Sequence, residues 1–115
     1  MKLNLIVIRT QQLEQQAKFY EQLGLELQYH KHGNSPYHYS ADLDGLVFEI
    51  YPTKNENSVD HSTRLGFQVK DLDKLIENLE TTEPESIITH PKQTTWGYAA
   101  LVKDLDGRKI ELTQQ

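Results

Sequence analysis

Asp42-Leu43-Asp44-Gly45 recurs as Asp104-Leu105-Asp106-Gly107 sixty-two positions later, and no other feature limits the folds open to this chain so sharply. The residues downstream of each copy also match in kind. Leu46-Val47-Phe48-Glu49-Ile50 stands against Arg108-Lys109-Ile110-Glu111-Leu112, so each copy sets a glutamate four residues after its glycine, with a large apolar residue on either side. Asp-Gly between extended runs marks a hairpin, because glycine supplies the positive φ that a tight turn requires. Upstream, Leu5-Ile6-Val7-Ile8 and Arg64 to Val69 both read as strands, each leading into a helix that opens on leucine, Leu13 or Leu72, at an offset of fifty-nine. The chain is therefore read as one duplicated unit.

Hydrophobic period orders the elements inside each copy. Leu72, Leu75, Ile76 and Leu79 fall at i, i+3, i+4 and i+7, an amphipathic helix with Asp71 placed to cap it. Leu13, Ala17, Tyr20 and Leu23 trace a similar stripe, and Gly24 stands where a left-handed residue ends such a helix. Strands then come over Leu25 to His32, Tyr37 to Leu43 and Leu46 to Tyr51, with a turn at Gly33-Asn34-Ser35-Pro36. The second copy repeats the order with Ser86 to His90, Tyr98 to Lys103 and Arg108 to Thr113. Each copy is strand, helix, then three strands. The expected fold is α+β: two βαβββ modules, residues 1–52 and 63–115, joined by a polar linker over 53–62, their mixed sheet curling around a small-molecule cleft.

Composition narrows the function classes. The chain has 115 residues, near the commonest size of one domain, and no cysteine, so no disulfide framework and no thiolate chemistry. A net charge of -5 disfavours nucleic acid, which asks for a basic face. The apolar run at the N-terminus is too short for a signal peptide, and no stretch reaches the roughly 18 apolar residues of a membrane span. A cytoplasmic protein is expected.

Alternation sorts the strand residues onto two faces. Leu46, Phe48 and Ile50 oppose Val47, Glu49 and Tyr51; Ile110 and Leu112 oppose Lys109, Glu111 and Thr113; Leu65, Phe67 and Val69 oppose Arg64, Gly66 and Gln68. The wholly apolar faces are those the helices cover. Glu49, Glu111 and Arg64 then turn the other way, with Leu5 as a greasy wall.

The paired βαβββ units, Phe19-Tyr20 and Leu23-Gly24 around the end of the first helix, and Trp96-Gly97 leading to Asp104-Leu105-Asp106-Gly107 with Glu111 together resemble the glyoxalase/bleomycin-resistance/dioxygenase family, the vicinal oxygen chelate superfamily. The resemblance covers essentially the whole chain, with Leu105 where the family usually has proline. It implies a divalent metal held by a histidine on the first strand and a glutamate on the last strand of each half. Those positions fall on Leu5, Glu49, Arg64 and Glu111, so both carboxylates are present and both histidines are absent. Leucine has no donor atom, and arginine stays protonated. No catalytic metal is therefore expected there. Arg64 is expected instead to neutralise one or both glutamates, so that its removal would destabilise the fold. The resemblance further implies a homodimer.

Ligand-binding residues are expected to be Leu5, Tyr39, Glu49, Tyr51, Arg64, Trp96, Tyr98 and Glu111. Trp96, the only tryptophan, is either a packing anchor at the mouth of a hairpin or a flat platform for a planar or cationic ligand. His30 and His32 share a strand face at a spacing that can chelate, but no third ligand is evident, and an exposed edge strand explains them. His38, His61 and His90 read as scattered, the last two in polar loops, and no glycine-rich phosphate loop is present. Two functions remain. One is a non-catalytic protein that sequesters a small organic molecule, a bleomycin-like cationic drug being one that suits an acidic chain. The other is a metal-dependent lyase, isomerase or ring-cleaving dioxygenase, with ligands recruited from elsewhere, such as His38 or His30.

Overall fold

The computed structural model describes residues Met1–Gln115, which divide into two compact units: Met1–Glu21 with Leu25–Asp60, and Gln22–Gly24 with His61–Gln115. In module one the order is β1 (Leu5–Thr10), α1 (Leu13–Gln22), β2 (Gln28–His30), β3 (His38–Leu43) and β4 (Leu46–Pro52). In module two it is β5 (Leu65–Val69), α2 (Leu72–Thr82), β6 (Ile87–Thr94), β7 (Gly97–Lys103) and β8 (Lys109–Gln114). The sheet orders are β1-β4-β3-β2 and β5-β8-β7-β6, the same topology twice. In each, the first strand runs parallel to the last and the other pairs are antiparallel. Both modules are βαβββ, as the repeat requires. Neither helix is long and apolar enough to cross a membrane.

Each helix is stopped and started by local chemistry. α1 ends in a Schellman closure: Gly24 takes φ +112° and Leu25 N–H donates to the Tyr20 carbonyl at 3.3 Å. α2 begins at Asp71, whose Oδ1 accepts the Lys74 N–H at 3.2 Å, while Gln114 Oε1 accepts the Leu72 N–H at 2.9 Å. The buried stripe of α2 is Leu72, Leu75, Ile76 and Leu79, and the sheet answers it with Val102, Ile110 and Leu112, all three fully buried. In module one Tyr20 meets Phe48 with ring centroids 5.2 Å apart, over Ile8 and Ile50. Burial of each such side chain stabilises by about 1.5–3 kcal/mol.

The duplication extends to a contact absent from the tetrapeptide. Tyr39 donates its hydroxyl proton to Glu14 of α1 at 2.6 Å, and Tyr98 does the same to Asp73 of α2 at 2.7 Å. Both pairs span 25 residues and tie a central strand to the helix of its own module.

Several local expectations need correction. The strand expected over Leu25–His32 is only Gln28–His30: Leu25 is buried closing α1, and from His32 the chain turns, with Ser35 N–H on the His32 carbonyl at 2.8 Å. β6 runs on to Thr94, past the expected end at His90; His90 is in the strand, as the Ser86 to His90 reading has it and against its other reading as a loop residue, and is bonded to Glu80 at 3.0 Å. It is an edge strand with register shifts on both sides of Thr89 and with Pro91 inside it, features that blunt an open edge. The linker is partly built, with a 3-10 turn over Glu56–Ser58 capped by Asn55 and with Val59 buried.

The repeated tetrapeptide itself makes two different turns. In module one Asp44 and Gly45, at φ 54° and 93°, form a two-residue hairpin of the left-handed type. In module two the ladder closes only at Lys103–Lys109, because Arg108 is pulled inside. It is wholly buried, with Nη1 3.1 Å from Asp104 Oδ2 and 3.4 Å from Asp106 Oδ2.

Candidate functional site

In module one, register decides which side chains meet. Gln28 pairs with Ser40, Ser40 with Glu49, and His30 with His38, so His30, His38, Glu49 and Tyr51 share the sheet face turned away from α1. Leu5 and Val7 pair with Val47 and Glu49 and join that face, where Leu5 is half exposed. The hairpin of β2 and β3 thus sorts its aromatic rings: histidines on one side, and Tyr29 with Tyr37 and Tyr39 on the other at centroid distances of 5.0 and 4.9 Å.

The histidine side converges on one carboxylate oxygen. Glu49 Oε2 lies 3.2 Å from His38 Nε2, 3.9 Å from His32 Nε2 and 4.0 Å from His30 Nε2. His38 is fully buried and Glu49 nearly so, while His32 is the exposed member. Tyr51 stacks on His38 with centroids 4.0 Å apart and planes 12° from parallel, holding the imidazole flat. The expectation that His30 and His32 lack a third ligand is thereby corrected: the turn at 32–35 returns the chain so that β3 brings His38 opposite His30, and β4 brings Glu49. Sequence reasoning named His30, His32 and His38 separately as possible ligands but did not bring them together with Glu49. The available signal was the hairpin itself, with His30 and His38 flanking Gly33 and Pro36.

In module two a cavity of about 160 Å³ is lined by Arg64, Thr89, Lys92, Thr94, Trp96, Ala99, Ala100, Leu101 and Glu111. Gly66 pairs with Glu111, so Arg64 and Glu111 share the face turned from α2. Trp96 sits in the β6–β7 turn, where Thr94 Oγ1 accepts its N–H at 3.1 Å and donates to the Gly97 carbonyl at 2.7 Å. Its residue is 80% exposed, so it anchors no core and leaves an indole face free. A larger hollow of about 460 Å³ beside Lys70, Asp71 and Lys74 contains no histidine or aromatic residue.

Of the eight ligand-binding residues expected, Leu5, Glu49 and Tyr51 share a face in module one, and Arg64, Trp96 and Glu111 line one cavity in module two. Tyr39 and Tyr98 do not belong with them. Alternation turns both toward the helices, and hydrogen bonding to Glu14, with desolvation, raises the Tyr39 pKa to about 12; the bond to Asp73 raises that of Tyr98. The neutralising role expected of Arg64 is also corrected. Arg64 is exposed and makes no ion pair with Glu111, whereas Glu49 takes its partner from His38. The charged side chain buried among carboxylates is Arg108.

The four positions that the resemblance implies for a metal offer a poor donor set here. Leu5 carries no donor and Arg64 offers only N–H donors, which leaves one carboxylate in each module.

Two βαβββ modules of identical topology, each baring the sheet face that its helix leaves uncovered, define a duplicated α+β class. A family model for the Glyoxalase/Bleomycin resistance protein/Dioxygenase superfamily matches residues 2–112, and the chain belongs to that superfamily. Among solved structures it is similar to the hypothetical protein SA1046 from S. aureus, with 18% identity over 100% of this chain and 97% of that one and a TM-score of 0.75. It is similar also to TnmS3, an antibiotic-binding protein from Streptomyces sp. CB03234, with 23% identity over 99% and 95% and a TM-score of 0.72. A glyoxalase-related enzyme from Fulvimarina pelagi shares 18% identity over 100% and 88%, at a TM-score of 0.75. These likenesses concern the fold. No curated protein matches.

Proposed function

We propose that this protein binds a small planar organic molecule against Trp96, without using the metal positions of its superfamily. The observation that carries this reading is an indole 80% exposed at the edge of a 160 Å³ cavity. That volume holds about one aromatic ring, since an apolar cavity of about 150 Å³ accepts benzene. TnmS3, an antibiotic-binding protein, shares this fold, which supports a binding role.

Local charge selects the ligand. The chain is acidic overall, but Arg64 and Lys92 outnumber Glu111 at the cavity, so an aromatic ring bearing an anionic group suits it better than the cationic drug that net charge suggested. Sequestration is the expected consequence, by a cytoplasmic homodimer; light scattering that reports a monomer removes the dimer.

Because Trp96 is the only tryptophan, its fluorescence reports occupancy directly. Aromatic carboxylates, aromatic amines and uncharged aromatics are titrated in EDTA, followed by Trp96→Ala and Arg64→Ala read by calorimetry. Carboxylates are expected to bind best, with Trp96→Ala weakening them about tenfold, in line with the energy of an aromatic contact. A ligand that binds both variants as tightly as the parent refutes the proposal.

A further inference from the structure

We infer that module one carries a site for a divalent transition-metal ion, zinc being the best fit, built from His30, His32, His38 and Glu49. Only Glu49 belongs to the ligand positions that the superfamily resemblance implies. The site stands independently of the Trp96 cavity.

His38 makes the case. Its Nδ1 lies 3.0 Å from the Pro36 carbonyl oxygen and its Nε2 3.2 Å from Glu49 Oε2, inside a fully buried residue. Both partners are acceptors, and a neutral imidazole has a single N–H. If that proton lies on Nδ1, the Nε2 lone pair faces a carboxylate lone pair with nothing between them. Either a second proton or a cation must bridge them. A ligating histidine typically gives its other N–H to a backbone carbonyl, which fixes the tautomer and points the free lone pair at the metal; His38 and Pro36 have that arrangement.

His30 supplies the second, independent observation. Its Nε2 is buried and has no hydrogen-bond partner, yet it lies 4.0 Å from the same carboxylate oxygen. A single protonated His38 leaves this nitrogen unexplained, whereas an ion at the centre of the group gives it a partner. His32 completes the set with Nε2 3.9 Å from Glu49 Oε2. All four donor atoms lie within 4.8 Å of one another. Zinc bonds of about 2.0–2.2 Å in a tetrahedron place donors about 3.3 Å apart. The His38–Glu49 separation already has that value, and rotamer adjustment of the two less buried histidines closes the rest. Three borderline imidazoles outweigh one hard carboxylate, a set that suits zinc, nickel or copper rather than calcium or magnesium.

The test uses tag-free, full-length protein, stripped with EDTA and free of organic ligand. Zinc is titrated against a chromophoric chelator, and cobalt is added separately for its visible bands. One zinc per chain is expected, with tetrahedral-type cobalt absorption. At a hundredfold excess over Kd, zinc should raise Tm by about 10 °C. His32→Ala removes an exposed side chain and should leave the fold intact while weakening zinc by at least tenfold; His30→Ala/His32→Ala should abolish stoichiometric binding. Should buried Glu49→Gln fail to fold, these two variants still decide the matter. Unchanged affinity in the double variant overturns the inference. So does a parent protein that takes up no zinc in the titration.

Discussion

Removing the Arg108 guanidinium should be the most damaging polar substitution in module two. Arg108 is wholly buried, Asp104 is 3% exposed, and their 3.1 Å contact is supported by a second at 3.4 Å to Asp106. The same Asp104 carboxylate accepts the backbone N–H groups of Asp106 at 2.9 Å and Arg108 at 3.1 Å, so it organises the whole loop. Arg108→Ala leaves that carboxylate buried without its cation, and breaking such a pair from one side costs about 3–5 kcal/mol. A domain of this size has a total stability of about 5–15 kcal/mol and loses about 4 °C of Tm per kcal/mol, so the expected drop is about 12–20 °C. A thermal melt followed by circular dichroism measures the drop, and urea denaturation measures the free-energy loss. Arg108→Met keeps the aliphatic stem and should lose nearly as much, which separates the lost charge from lost packing. Arg64→Ala is the control: exposed and without an ion pair, it should stay within about 0.5 kcal/mol of the parent. A loss below about 1 kcal/mol for both Arg108 variants, or an equal loss for Arg64→Ala, refutes the reasoning.

Other expectations are narrower. Tyr39→Phe should cost about 1 kcal/mol at pH 8 by chemical denaturation. The folded-state pKa is raised from 10 to about 12, so this contribution is complete below pH 10 and is lost as pH rises through 12; a parent–variant difference that persists beyond 12 contradicts the Glu14 bond as its source. Asp71→Ala should destabilise by about 1 kcal/mol through the lost cap, with Asp71→Asn recovering most of it in the same urea titration. Gly24→Ala meets no atom within 4 Å, so its cost, about 1–2 kcal/mol in Tm-derived stability, comes from backbone strain at φ +112° alone.

How much of this was legible along the chain differs by element. α2 was fully written, because its apolar stripe and its cap are local patterns of period and side-chain reach. The paired topology was legible because the unit is repeated and each copy constrains the other. The contrast between the two Asp-Leu-Asp-Gly turns was not. It depends on whether the next side chain, Leu46 or Arg108, enters the module, and identical tetrapeptides carry no information on that.

Sequence alone determined two βαβββ modules and their helix faces, since periodicity and turn chemistry are properties of neighbours in the chain. Only the tertiary structure decided that Tyr39 and Tyr98 serve the helices, that Arg108 rather than Arg64 is the buried cation, and that four donors from β2, the turn, β3 and β4 meet. Strand register is the physical reason. A shift of one residue would turn His38 to the opposite face, and register is set by packing across the whole sheet rather than by the residues it brings together.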